Sequence, residues 1–220
     1  MEIKQRVGLL DYRLQRFLVG LIAFTLPPVV TILSKEWLTS ISASYHAGGR
    51  NMFVGMLFMV ATFLIAYNGR GKTQPVMSKI AAFAAAGVAL FPTAEHGVKS
   101  LVSNLHYTFA AVLFLILIYF CRCFYKSCKE KGNDREQITR RALYAVCAAV
   151  MSLSMATILF SKLFVPLEIR DSLHITFWGE TAALEFFGVA WIVAGRWRAF
   201  KFLVEDNNDS FGFRDSFKNG

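Results

Sequence analysis

Residues 104–124 read "NLHYTFAAVLFLILIYFCRCF" and carry a single charge, Arg122. A helix rising about 1.5 Å per residue needs roughly 20 such residues to cross a ~30 Å hydrocarbon core. The stretch reads as a transmembrane helix, and it sets the class of the whole chain. Five further runs of the same kind lie at about 17–34, 51–68, 77–93, 142–165 and 175–195. Together they predict an all-α fold, a polytopic membrane bundle of six transmembrane helices filling residues 1–200. The polar residues 201–220 then read as a disordered tail.

Composition agrees with this class. Of 220 residues, 55% are hydrophobic, 21 are phenylalanine and only 18% are charged, which leaves more apolar surface than one soluble core hides. The 77–93 run is short and built from small residues, the composition of a buried, closely packed span. The first run is too long for the apolar part of a signal peptide and no small-residue cleavage site follows it, so it reads as a retained span. Pro27 and Pro28 fall within it and predict a bend. No internal repeat of the inverted transporter type is legible.

The cations give the orientation. With the N-terminus inside, nineteen of the 24 Lys and Arg residues fall on cytoplasmic segments, leaving Lys35, Arg50, Lys99, Lys162 and Arg170 outside. This is a strong positive-inside bias, and it places both termini in the cytoplasm. It also accounts for the net charge of +9 through contact with anionic headgroups, without any nucleic-acid partner. Three of the four cysteines, in "CRCFYKSC" (121–128), lie at the inner end of the fourth span. The cytoplasm is reducing and the spacing is not that of a zinc ribbon, so they read as juxtamembrane thiols.

On this topology the polar residues gather at the outer face. His46, His96, His106 and His174 all lie there, with Glu36, Arg50, Asn51, Thr93, Glu95, Glu168 and Asp171. The segment "SISASYHAGGRNMFVG" (40–55) joins two spans with hydroxyls, a histidine, an arginine and paired glycines, and reads as the lining of a polar mouth, the glycines turning the chain back into the bilayer. In the sixth span, His174, Trp178, Thr181 and Glu185 share one helical stripe, which sends Glu185 roughly 15 Å deep. Glu180 points about 130° away from that stripe. Ser154, Thr157 and Ser161 lead along the fifth span to Lys162, which either snorkels outward or pairs with Glu180.

The blocks Ser40–His46, Arg50-Asn51, "FVG" (53–55), "VALFPT" (88–93), His106 and "FWGETAALEFFGVAW" (177–191) together resemble a bacterial family of small multi-pass membrane proteins, a domain of unknown function that is distantly similar to the Frag1/DRAM/Sfk1 membrane proteins. The resemblance implies six spans, the bacterial inner membrane, and Ser42, Tyr45, Arg50, Thr93, His106, Trp178 and Glu180 as pattern positions. It implies no established reaction. The chain departs from the pattern at Ser44, where a second tyrosine is expected, and at Ala194, where a lysine is common. The wheel favours Glu185 and the resemblance Glu180, and Glu180 ranks first for a shared site.

Three functions fit these residues. The first is recognition of membrane-lipid headgroups at the outer leaflet, with Arg50 on the phosphate and Tyr45, Asn51, Thr93, Trp178, Glu180 and Glu185 as further ligand-binding candidates. The second is an intramembrane hydrolase acting on a lipid ester or amide. It would use zinc held by His46, His96, His106 or His174, or Ser42 or Ser44 activated by His46, with His106 and Glu180 as further catalytic candidates. The third is a small proton-coupled carrier in which Glu180 and Glu185 titrate.

Overall fold

The structure, a computed structural model, describes residues 12–94 and 100–212, with side chains over 13–94 and 100–195. Among these residues there is no strand. The helices are α1 (Tyr12–Ser34), α2 (Arg50–Ala66), α3 (Thr73–Leu90), α4 (Leu101–Glu130), α5 (Arg135–Phe164), α6 (Leu167–Ser172) and α7 (Ile175–Gly212), with a 3₁₀ turn at Ser42–His46 before α2. Four helical stretches are long and apolar enough to cross a membrane: Arg13–Ser34, Leu101–Glu130, Arg135–Phe164 and Ile175–Gly195. The bundle is that of a membrane-embedded protein. Its outward surface is correspondingly apolar, with Ile32, Phe83, Leu115, Leu153 and Phe164 all exposed. At 17 residues, α2 is apolar but shorter than the four.

The six long helices form a closed ring. Each packs on the next along the chain, α5 passes over the short α6 to α7, and α7 returns to α1. The end holding the 3₁₀ turn and the starts of α4 and α7 is called the upper end here. The ring closes along a seam of glycines at α1–α7: a Cβ on Gly188 would lie 2.7 Å from the Gly20 carbonyl oxygen, and one on Gly195 would lie 2.6 Å from that of Arg13. The two backbones are in contact, which only residues without side chains permit. In α3, the buried Ala81, Ala82, Ala84, Ala85 and Ala89 allow the same closeness to α2 and α4. At the lower end, Trp191 is fully buried among Tyr67, Phe120, Phe124 and Phe187, with ring centroids 5.3–5.8 Å apart.

Several boundaries differ from those read in the sequence. Helix α1 begins at Tyr12, before the start of the run at 17, and continues through Pro27 and Pro28, and the hydroxyl of Thr31 donates to the Pro27 carbonyl at 2.8 Å. Residues 125–141, which resemble a solvated loop, instead extend α4 and α5 and leave a turn at 131–134 that contains Gly132 (φ 128°). Charges spaced for helical pairing, such as Glu136–Arg140 at 3.7 Å, suit helix ends as well as loops. Helix α7 continues to Gly212, into the segment read as a disordered tail, because no proline or glycine interrupts 196–211. Residues 213–220 lie outside the described set.

The seam makes a clear prediction. Gly188→Val should lower the thermal unfolding midpoint of the detergent-purified protein, at a cost of about 3 kcal/mol from overpacking. Gly55→Ala, where an added Cβ meets nothing within 4 Å, should hold or raise the midpoint, since alanine favours a helix interior over glycine. Equal midpoints for the two variants would contradict the backbone contact.

Candidate functional site

The chain between α1 and α2 passes over the upper end, and its backbone groups are fastened to the start of α7. The Leu38 carbonyl accepts from Nδ1 of His174 at 3.0 Å. That of Thr39 accepts from the N–H of Phe177 at 3.1 Å, one of the donors that a helix start leaves without an internal partner. The carboxyl of Glu180 accepts from the backbone N–H of Ser42 at 3.2 Å and from its hydroxyl at 3.3 Å. Glu180 thereby caps the 3₁₀ turn that Ser42 opens. His174, with φ of 48°, turns the chain out of α6 so that α7 can start beneath this strap.

Gly48 and Gly49 return the chain to the bundle. A Cβ on Gly48 would lie 2.6 Å from the Leu33 carbonyl oxygen, and one on Gly49 would lie 2.7 Å from Oγ of Ser34. Gly49 has an ordinary φ of −78°, so its requirement is closeness to α1 and not a left-handed backbone.

Beneath the strap lies a cavity of about 420 Å³ lined by Ser42, His46, Thr93, Tyr107, Lys162 and Glu180. Lys162 places its ammonium 3.5 Å from the centre of the Tyr107 ring, a cation–π contact. It shares the cavity with Glu180, and the two form no direct ion pair among the described residues. Arg170 and Asp171 of α6, themselves paired at 3.8 Å, complete one wall. Ser42 and Glu180 also border a second cavity of about 40 Å³, largely apolar, which His106 lines from the other side.

The sequence candidates are thus sorted into separate places. Ser42, His46, Thr93 and Glu180 share the large cavity. Tyr45, Arg50 and Asn51 line a different groove, of about 380 Å³, between the ends of α2 and α3. There the Arg50 guanidinium stacks 4.4 Å from the Tyr45 ring and donates to its hydroxyl at 3.1 Å, apart from the cavity that holds Ser42 and Glu180. Trp178 is 59% exposed on the outside of α7. Glu185 lines none of these cavities.

The histidines do not converge. His46 donates through Nε2 to the Thr93 carbonyl at 3.1 Å, and His106 through Nδ1 to that of Phe91 at 2.7 Å; a carbonyl can only accept, which fixes the donor in each pair. With His174 on Leu38, each ring holds a piece of chain, and His96 lies outside the described residues. Among the described residues, no three of His, Cys, Asp and Glu gather as metal ligands. Nor does His46 bond Ser42, whose hydroxyl donates to Glu180. The polar line on α5 is partly self-satisfied, with Ser161 donating to the Ile158 carbonyl at 2.9 Å.

Sequence reasoning missed Tyr107 as the platform for Lys162 and missed α6 as a wall. The signal for α6 was present in "PLEIRDS" (166–172), where a proline precedes an early Glu168 and a late Arg170 in helix-start and helix-end order. No family model, curated protein or solved structure matches the chain, so the site is read from its own geometry.

If Glu180 holds the strap, Glu180→Ala should free it. Losing two hydrogen bonds costs about 2 kcal/mol, which corresponds to roughly thirtyfold faster hydrogen exchange around Ser42. Exchange mass spectrometry over residues 38–46 reads this directly, and unchanged exchange would mean that the strap is held elsewhere.

Proposed function

We propose that the protein is a bacterial inner-membrane bundle of six spans, both termini cytoplasmic, whose large cavity opens outward and receives a phospholipid headgroup. The observation that carries this reading is the mixed sign of one cavity: Lys162 and Arg170 face it together with Glu36, Asp171 and Glu180. A zwitterionic headgroup presents a phosphate and an amine a few ångströms apart, and the hydroxyl of Ser42 adds a neutral partner. The phosphate contact, assigned from sequence to Arg50, passes to Lys162 and Arg170. Apolar helix faces flank the cavity, as acyl chains require.

The orientation rests on the cation asymmetry, and the six spans rest on α2 and α3 sharing one ring with the four longer helices. In a cysteine-free background, Trp37→Cys should react with a membrane-impermeant maleimide on intact spheroplasts, and Lys72→Cys only after permeabilisation. The reverse pattern would sink the orientation.

The headgroup reading has its own test. Native mass spectrometry of the detergent-released protein should show retained phospholipid, reduced about tenfold or more in Lys162→Ala and in Glu180→Gln through loss of a charged contact. Retention at the wild-type level in both variants would count against the cavity as the lipid site.

A further inference from the structure

At the lower end of the bundle, opposite the strap, a second polar cavity of about 230 Å³ is bounded by Arg16, Arg70, Lys131 and Arg140. We infer that it binds a phosphate group, carried either by an anionic lipid headgroup or by a free phosphate compound.

The cavity has a rigid aromatic floor of Phe124 and Tyr144, both buried. Two guanidiniums are set on it in fixed poses. Arg16 donates through Nε (3.0 Å) and Nη2 to the hydroxyl of Tyr67, and its guanidinium carbon sits 5.3 Å from the Tyr67 ring centre and 4.8 Å from that of Phe124. Arg140 donates through Nη2 to the hydroxyl of Tyr144 at 3.2 Å. A phenol orients a guanidinium without carrying charge of its own, and a guanidinium held at a fixed angle is suited to the paired oxygens of a phosphate.

The other two cations form the rim. Arg70 and Lys131 are exposed, one from the α2–α3 connection and one from the α4–α5 turn. The first connection is held tightly: the N–H of Arg70 donates to Oε1 of Gln74 at 2.9 Å, and a Cβ on Gly69 would overlap Gln74 and Tyr67. Among the described lining residues there is no carboxylate. Among the described residues, Glu136 reaches Arg140 from outside the lining at 3.7 Å. The arrangement differs in kind from the upper cavity, where both signs face inward. Basic pockets between membrane helices at a cytoplasmic surface are suited to anionic headgroups, and the proposed orientation puts this one there.

The test uses the full-length protein with two probes. Unfolding midpoints are measured in phosphatidylcholine nanodiscs with increasing phosphatidylglycerol, and in detergent with increasing inorganic pyrophosphate. The midpoint should rise with at least one probe. Arg70→Gln and Lys131→Gln, both at exposed positions that leave the floor intact, should each weaken the apparent affinity about fivefold. Lys126→Gln, an exposed cation of α4 outside the lining, should leave it unchanged. A response to phosphatidylglycerol alone assigns a lipid headgroup, and a response to pyrophosphate assigns a free phosphate compound. No rise with either probe overturns the inference, and so does an equal loss in Lys126→Gln, which would reduce the effect to the general charge of that face. The upper cavity shares none of these residues, so the outcome is independent of lipid retention there.

Discussion

The upper end of the molecule depends on what happens to the backbone polar groups of residues 38–42. A chain crossing the end of an apolar bundle has donors and acceptors that must find partners, and a membrane boundary offers little water for them. Here α7 and the turn before it supply the partners: a ring nitrogen of His174, the N–H of Phe177 and the carboxyl of Glu180. The strap, the two cavities it separates and the position of the 3₁₀ turn all follow from those bonds. Glu180 is therefore a positioning residue and a cavity wall at once.

The same logic explains the histidines. Three residues that looked from sequence like metal ligands or catalytic bases each hold a carbonyl in a stretch where regular helix has ended. Their collection at one end is a real feature of the fold, but its basis is loop fastening. An imidazole reaches farther than a serine and donates from a rigid ring, which suits it to bridging between separate segments.

Long apolar runs made the helices legible, since length and freedom from charge are local properties. Gathering of His46, His106 and His174 at one end was legible for a similar reason, because each sits near a helix start and alternate helices start at the same end. The choice between Glu180 and Glu185 was not settled by the helical wheel, which gives angles between residues but not the direction of the neighbours. Arg50 and Tyr45 line a groove separate from the cavity of Ser42 and Glu180, a division that residue spacing does not encode. The lower cavity escaped notice because its four cations come from α1, α5 and two connections far apart in sequence, and each alone reads as an ordinary positive-inside flank.

The glycine seam has a consequence for how the molecule is made. Of the described helices α1 leaves the ribosome first and α7 last, yet their backbones touch. Until Gly188 and Gly195 are in place, the small-residue face of α1 is left to lipid. The ring is thus completed only once α7 has joined the helices that precede it. A product truncated before Gly188 would keep that face uncovered, and in a membrane such faces pair helices from different chains.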